Sequence, residues 1–177
     1  MAETAAGALP QPVQGRECGT CTLCCKVLAI DELNKPRGVW CPHCKPGWGC
    51  TIYEERPPPC RTFHCMYLVS ERVPEEWRPT RSKIVLVSDG GSTAAIVDPG
   101  FPDAWKVEPY YGQLKAWAAA GISIRRAVLV RIGKRTIAVL PDRDVELGDV
   151  EPDANIVIEG RSTPFGMEYS ARRASKA

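Results

Sequence analysis

All nine cysteines of this chain lie between Cys18 and Cys65, and both histidines, His43 and His64, fall in the same window. No residue after Cys65 is a cysteine or a histidine. A disulfide framework spreads over the fold that it staples and uses thiols in pairs. Nine bunched thiols point instead to a cation held by sulfur. The bunch also contains Gly19, Gly38, Gly47, Gly49 and the run Pro57-Pro58-Pro59, which argues against long helices. Such a segment lacks the apolar residues for a sizeable core of its own. A bound metal supplies the missing stabilisation.

The 177 residues suit one ordinary domain or two very small ones. Hydrophobic residues at 44% and charged residues at 25% are those of a globular chain. A net charge of +2 is too small to favour nucleic acid or an anionic membrane as partner. No apolar run approaches the roughly 18 residues of a membrane span. The first ten residues have neither the basic flank nor the apolar core of a secretory signal. The expectation is a cytoplasmic protein, where thiols stay reduced. Its expected partner is a metal ion, with no nucleic acid, no membrane and no protein partner identified.

Four segments follow from the residue pattern. Residues 1–15, rich in Ala, Gly, Pro and Gln, read as a flexible leader. Residues 16–67 form the cysteine cluster. Residues 80–160 read as a small antiparallel β region with one helix. Residues 169–177 read as a flexible basic tail. Within the β region, Lys83–Ser88 and Thr93–Val97 form a hairpin around Asp89-Gly90-Gly91. A helix covers roughly Tyr110–Ala120, with Pro109 at its start, Gly121 as its stop, and Leu114 and Trp117 sharing a buried face. Arg126–Ile132 and Arg135–Leu140 flank Gly133-Lys134 as a second hairpin, and 155–159 adds a strand. Trp77, Trp105 and Trp117 read as core residues. Lys134, Arg135, Arg172 and Arg173 read as solvated charge. The fold class is α+β, with an irregular metal-nucleated N-terminal module.

The chemistry sits in three motifs. Cys18-Gly19-Thr20-Cys21-Thr22-Leu23-Cys24-Cys25 places thiols three residues apart. At that spacing they can turn toward one centre, with Gly19 allowing a tight fold between the first two. Three cysteines at such spacings plus a remote Cys-Pro, here Cys41-Pro42, also occur in ferredoxin-type iron–sulfur sites. Adjacent Cys24 and Cys25 do not readily point the same way, so one of them serves a second metal or is spare. Trp40-Cys41-Pro42-His43-Cys44 is a second C-x2-C, followed by Cys50. Arg56 to Cys65 supplies Cys60 and Cys65. Two four-ligand sites use eight thiols and leave one; a single cluster with extra thiols around it satisfies the count equally.

With thiols so plentiful, His43 and His64 read as hydrogen-bond donors around the ligands rather than as ligands. Arg56 and Arg61 read as charges that offset thiolates, with solvated surface positions as the alternative. Trp40, Trp48, Tyr53 and Phe63 read as an apolar shield around the metal.

The C-x2-C-x2-C-C start, the Cys-Pro-His-Cys knuckle, and Gly49-Cys50-Thr51-Ile52-Tyr53-Glu54-Glu55-Arg56-Pro57 leading to Cys60-Arg61 and Cys65 together resemble the YkgJ-type cysteine cluster proteins. The resemblance covers residues 18 to about 67. It implies a zinc- or iron-chelating domain and leaves the choice of metal open. Flagellin lysine methylases carry a similar cysteine signature in longer chains, but this chain shows no methyl-donor loop.

Three functions remain in contention. The first is a zinc- or iron-chelating protein without catalysis, consistent with the absence of a nucleophile–base set. The second is an iron–sulfur-cluster redox enzyme or its accessory, suggested by the cysteine spacing. The third is an adaptor whose metal merely shapes a surface for a protein partner.

Overall fold

The computed structural model describes residues 10–88, 92–151 and 154–174. The cysteine-rich segment contains only short elements. They are α1 (Cys24–Val27), the two-residue strands β1 (Cys44–Lys45) and β2 (Gly49–Cys50), α2 (Pro58–Thr62) and α3 (Met66–Val69). A further short helix, α4 (Pro79–Ser82), leads into the sheet. Prolines and glycines keep each of these elements to a turn or so, as the composition requires.

The β-branched run builds β3 (Ile84–Ser88) against β4 (Ser92–Val97) as an antiparallel pair. The Asp89-Gly90-Gly91 turn lies outside the described residues. Then α5 (Tyr110–Ile122) crosses over and returns the chain as β5 (Ala127–Ile132), parallel to β4. Gly133 takes φ +57° and Lys134 completes the two-residue turn into β6 (Arg135–Val139). β7 (Asp144–Asp149) pairs with β6 across a bulge at Thr136/Ile137. The sheet order is β3-β4-β5-β6-β7. The region is therefore mixed, not antiparallel as expected. A 13-residue helix between two strands is long enough to carry the chain across for parallel pairing.

β8 (Ile156–Thr163) and β9 (Gly166–Arg173) form a separate two-stranded hairpin. Part of the expected basic tail is thus strand: Tyr169–Arg173 pairs with Ile156–Gly160 in register. The expected strand at 155–159 begins one residue later and runs on to Thr163. Arg172 and Arg135 make ion pairs with Glu159 and Glu146 at 2.8 and 2.7 Å. Of the expected leader, residues 10–15 are described, and the Val13 N–H donates to the Leu68 carbonyl at 2.8 Å. Arg16 follows, its guanidinium donating to the carbonyls of Tyr67, Ser70 and Val73 at 2.5–3.0 Å and lying 4.5 Å from the Tyr67 ring centroid.

Both faces of the five-stranded sheet are covered. One face, carrying Ile84, Leu86, Val97, Val128 and Val130, packs with Leu114 and Ala118 of α5 and with Trp77 and Trp105. Trp77 is 0% exposed, stacks on Trp117 at 5.2 Å and donates from Nε1 to Gln113 Oε1 at 2.5 Å. The three expected core tryptophans all sit in this layer. The other face is shared. The β8–β9 hairpin covers Ala127, Leu129 and Ala138. The cysteine-rich segment covers Val85, Val87 and Ile96 through Leu23, Val27, Leu28 and Phe63. Lys26 Nζ pairs with the nearly buried Asp98 at 2.5 Å across this boundary.

Gly121 does not stop α5, which runs through it to Ile122. A Cβ built on Gly121 would meet the Arg126 carbonyl oxygen at 2.4 Å, so this position is glycine because the chain entering β5 passes so close. Gly121→Ala is expected to destabilise the protein by about 1–3 kcal/mol through overpacking against backbone that cannot yield. The midpoint of urea unfolding measures it, and an unchanged midpoint would contradict this packing.

Candidate metal centre

Each thiol is placed by a local turn. Gly19 at φ +44° lets the Cys21 N–H reach back to the Cys18 carbonyl at 2.7 Å. The Cys25 N–H donates to the Thr22 carbonyl at 3.0 Å as α1 begins. Cys41 then joins the second knuckle to the first, its N–H donating to the Cys25 carbonyl at 3.0 Å. Cys44 and Cys50 face each other across β1–β2. The tip of this small hairpin is anchored by the Gly47 N–H, which donates to Thr22 Oγ1 at 3.1 Å. Cys60 rides on the proline-started α2, and Cys65 sits at the N-cap of α3.

These turns bring all nine sulfurs to one place. Cys18, Cys21, Cys24, Cys25, Cys41, Cys44, Cys50, Cys60 and Cys65 all line a single cavity of ≈ 680 Å³ between the cysteine-rich segment and β3–β5. None is in a disulfide. Cys24 and Cys25 both line this cavity, and their side chains hydrogen-bond to each other. The sulfurs surround a space rather than a point. Among the described residues, no three cysteine, histidine or acidic side chains stand close enough together to hold one ion.

Electrostatics divides the set. Burial pushes the Cys65 thiol up to about 11, and the neighbours that push in the same direction are Cys18 and Cys21. Burial raises Cys60 as well, with Cys25, Cys41 and Cys50 adding to the shift. Burial raises Cys44 to about 11, reinforced by Cys25 and Cys41. Cys25 is raised first by its hydrogen bond with Cys24, then by burial. Cys18, raised by burial, feels both Cys21 and Cys25. Two thiol neighbourhoods thus meet at Cys25, one with Cys18, Cys21 and Cys65, the other with Cys41, Cys44, Cys50 and Cys60.

The expected helpers divide too. His43 lines the cavity, and its carbonyl accepts from the Thr51 N–H at 2.8 Å and hydroxyl at 3.0 Å. His64 instead has Nδ1 3.1 Å from the Thr62 carbonyl oxygen on its own turn, away from the cavity lining. Arg56 lines the cavity and pulls the Cys18 and Cys60 thiols downward. It is fixed by donating to the Tyr53 carbonyl at 2.8 Å. Arg61 serves the backbone, donating to the carbonyls of Arg56 and Glu54 at 2.6 and 3.0 Å. The aromatic shield is partial: Phe63 is half-buried, while Trp48 is 85% exposed and Trp40 and Tyr53 stand at the surface.

Lys35 is the residue that sequence reasoning missed. It is 4% exposed, and its ammonium donates to the Lys26 carbonyl at 2.9 Å and to the Leu28 carbonyl. Burial lowers its pKa, while Cys41, Cys25, Cys24 and Cys60 pull it back up. A lone lysine beside Asn34 gives no periodic signal that would mark it as buried.

The donor set fits a soft-ligand cation. Nine sulfurs and one imidazole line the cavity, and Glu17 is the one carboxylate among its lining residues. Arg56 and the buried ammonium of Lys35 stand where thiolate charge would gather. Comparison of the chain with protein-family models, curated proteins and solved structures finds no match.

In reduced, chelator-treated protein, the raised Cys44 and Cys65 pKa values stabilise the fold below about pH 9, the ordinary thiol value, and that stability is lost as pH rises through about 11. The urea midpoint should therefore fall between pH 9 and 11. Cys65→Ala should flatten part of that fall, and an unaltered slope would exclude Cys65 as a source.

Proposed function

We propose that this chain is a cytoplasmic metal-chelating protein of the YkgJ cysteine-cluster type, holding zinc or iron through thiolates and performing no catalysis of its own. One observation supports this above the rest: nine reduced cysteines, drawn from loops, short helices and two short strands, line one cavity. Buried thiols without a partner gain little beyond packing, whereas a cation converts the same burial into strong bonds. A bound zinc or iron supplies the positive charge that lets these thiols ionise near neutral pH. Cys41 and Cys25, joined through their backbone, keep two knuckles in register around it. Lys35 and Arg56 offset the charge of about −2 that four thiolates leave on a divalent ion. Because burial raises several of these thiols, loading releases protons, and affinity rises with pH through the neutral range.

Elemental analysis and an optical spectrum on one anaerobically purified sample test the proposal. Colourless protein with at least one equivalent of zinc fits a chelating site. A broad absorbance near 400 nm that bleaches on reduction fits an iron–sulfur cluster. Folded protein without metal, its thiols freely titratable, would overturn both. Cys41→Ser and Cys25→Ser are expected to lower metal content by half or more. Lys35→Met should weaken metal retention against a competing chelator without removing a ligand.

One observation favours the adaptor reading as a second possibility. Phe165, at the tip of the β8–β9 hairpin, is 100% exposed and projects an aromatic ring into solvent.

A further inference from the structure

A second cavity, of ≈ 560 Å³, lies away from the cysteines. Ile122, Arg125 and Arg126, from the turn that joins α5 to β5, line one side of it, and the β8 stretch 156–160 lines the other. Strand β8 pairs with β9 along one edge. The Ala174 N–H donates to the Asn155 carbonyl at 2.9 Å, just before β8 begins. Hydrogen-bonded positions alternate along an antiparallel pair. Counted from Asn155, that alternation turns the N–H and C=O groups of Ile156, Ile158 and Gly160 away from β9. Among the described residues, no strand pairs with this outer edge. Open edges are usually blunted by charge, proline or a bulge, and Ile156-Val157-Ile158 carries none of these.

The charge beside the edge has one sign. Arg125 takes φ +54° as it closes the turn, which sets it next to Arg126. Among the described residues, neither guanidinium has an ion-pair partner. Glu159 is the one carboxylate lining the cavity, and Arg172 holds it at 2.8 Å. The last carbonyls of α5 are occupied too: Gly121 accepts from the N–H groups of Ile124 and Arg126, and Ile122 from that of Arg125.

We infer that the open edge of β8 takes up an extended acidic segment of a protein partner as an added strand, with Arg125 and Arg126 meeting its carboxylates. In strand addition the main-chain hydrogen bonds supply affinity. The two arginines select the partner and speed its encounter. A second copy of this chain fits less well, because β8 against β8 would bring the arginines of both copies together. The site uses neither the cysteines nor Phe165, so it goes beyond metal chelation and the exposed hairpin tip and rests on neither.

The probe is a short capped peptide of alternating valine and glutamate, titrated into the isotopically labelled full chain as purified and followed by amide NMR. It is expected to bind one to one, about tenfold more tightly than a valine–lysine peptide of the same length. Amide exchange at Ile156, Ile158 and Gly160 should slow on binding. A glutamate peptide methylated at every backbone nitrogen keeps the charge but loses the donors, and it should not bind. Arg125→Glu combined with Arg126→Glu should reverse the preference to the lysine peptide, and both side chains are exposed, so the fold should hold. Equal binding of the two charged peptides, binding of the methylated peptide, protection at other amides instead, or no saturable binding would each overturn the proposal. So would a dimeric chain with these amides already protected, which would give the edge to a second copy. Metal content measured on the same sample keeps the two functions apart. A metal-free chain that binds the peptide sinks chelation alone, and a metal-loaded chain that ignores it sinks this site alone.

Discussion

Strand β3, Ile84-Val85-Leu86-Val87, is apolar on both faces, so each face has to be covered. Helix α5 and two tryptophans cover one side. Among the described residues, the cysteine-rich segment covers the β3–β4 half of the other side. That constraint explains why a stretch with no core of its own takes a defined shape. Leu23, Val27 and Phe63 use the sheet as their core, and the Lys26–Asp98 pair ties the segment to the end of β4. Burying a residue such as Val85 contributes about 1.5–3 kcal/mol. The sheet is therefore itself a source of order in the segment.

The two hairpins and the helix were legible because their signals are local: β-branched runs around Gly-containing turns, and a Pro-started stretch with Leu114 and Trp117 three apart. The parallel β4–β5 pairing was not, since a β-branched run carries no mark of its neighbour's direction and only the intervening helix makes a crossover possible. β7 and β9 escaped for a different reason. Asp144–Asp149 and Gly166–Arg173 are polar and largely exposed, and they are strands because they pair with β6 and β8, not because of their own propensity. Gly121 read as a helix stop because a close backbone approach from five residues downstream leaves no mark in the pattern.

The candidate centre was legible in its ligand types and not in its shape. Clustering announced the sulfurs, but nothing in the spacing said that all nine would share one cavity or that Cys24 and Cys25 would both face it. Lone basic residues were the blind spot. Lys35 and Arg131 look like surface charges until a loop reversal buries the one and strand alternation turns the other toward the thiol-lined cavity. Arg61 was the converse case, a cation near the motif that turned out to staple carbonyls.

The order of elements along the chain sets a timing problem for its sulfurs. Everything from Cys18 to Cys65 leaves the ribosome before β3, β4 and β5 exist, and β5 closes the parallel pair only at Ile132. At about 5–20 residues per second, the thiols spend on the order of several seconds without the surface they rest on. During synthesis the nascent segment is therefore an open set of reduced sulfurs, exposed to oxidants and to any passing soft cation. Whether these thiols stay reduced would then be decided while the polypeptide is still being made.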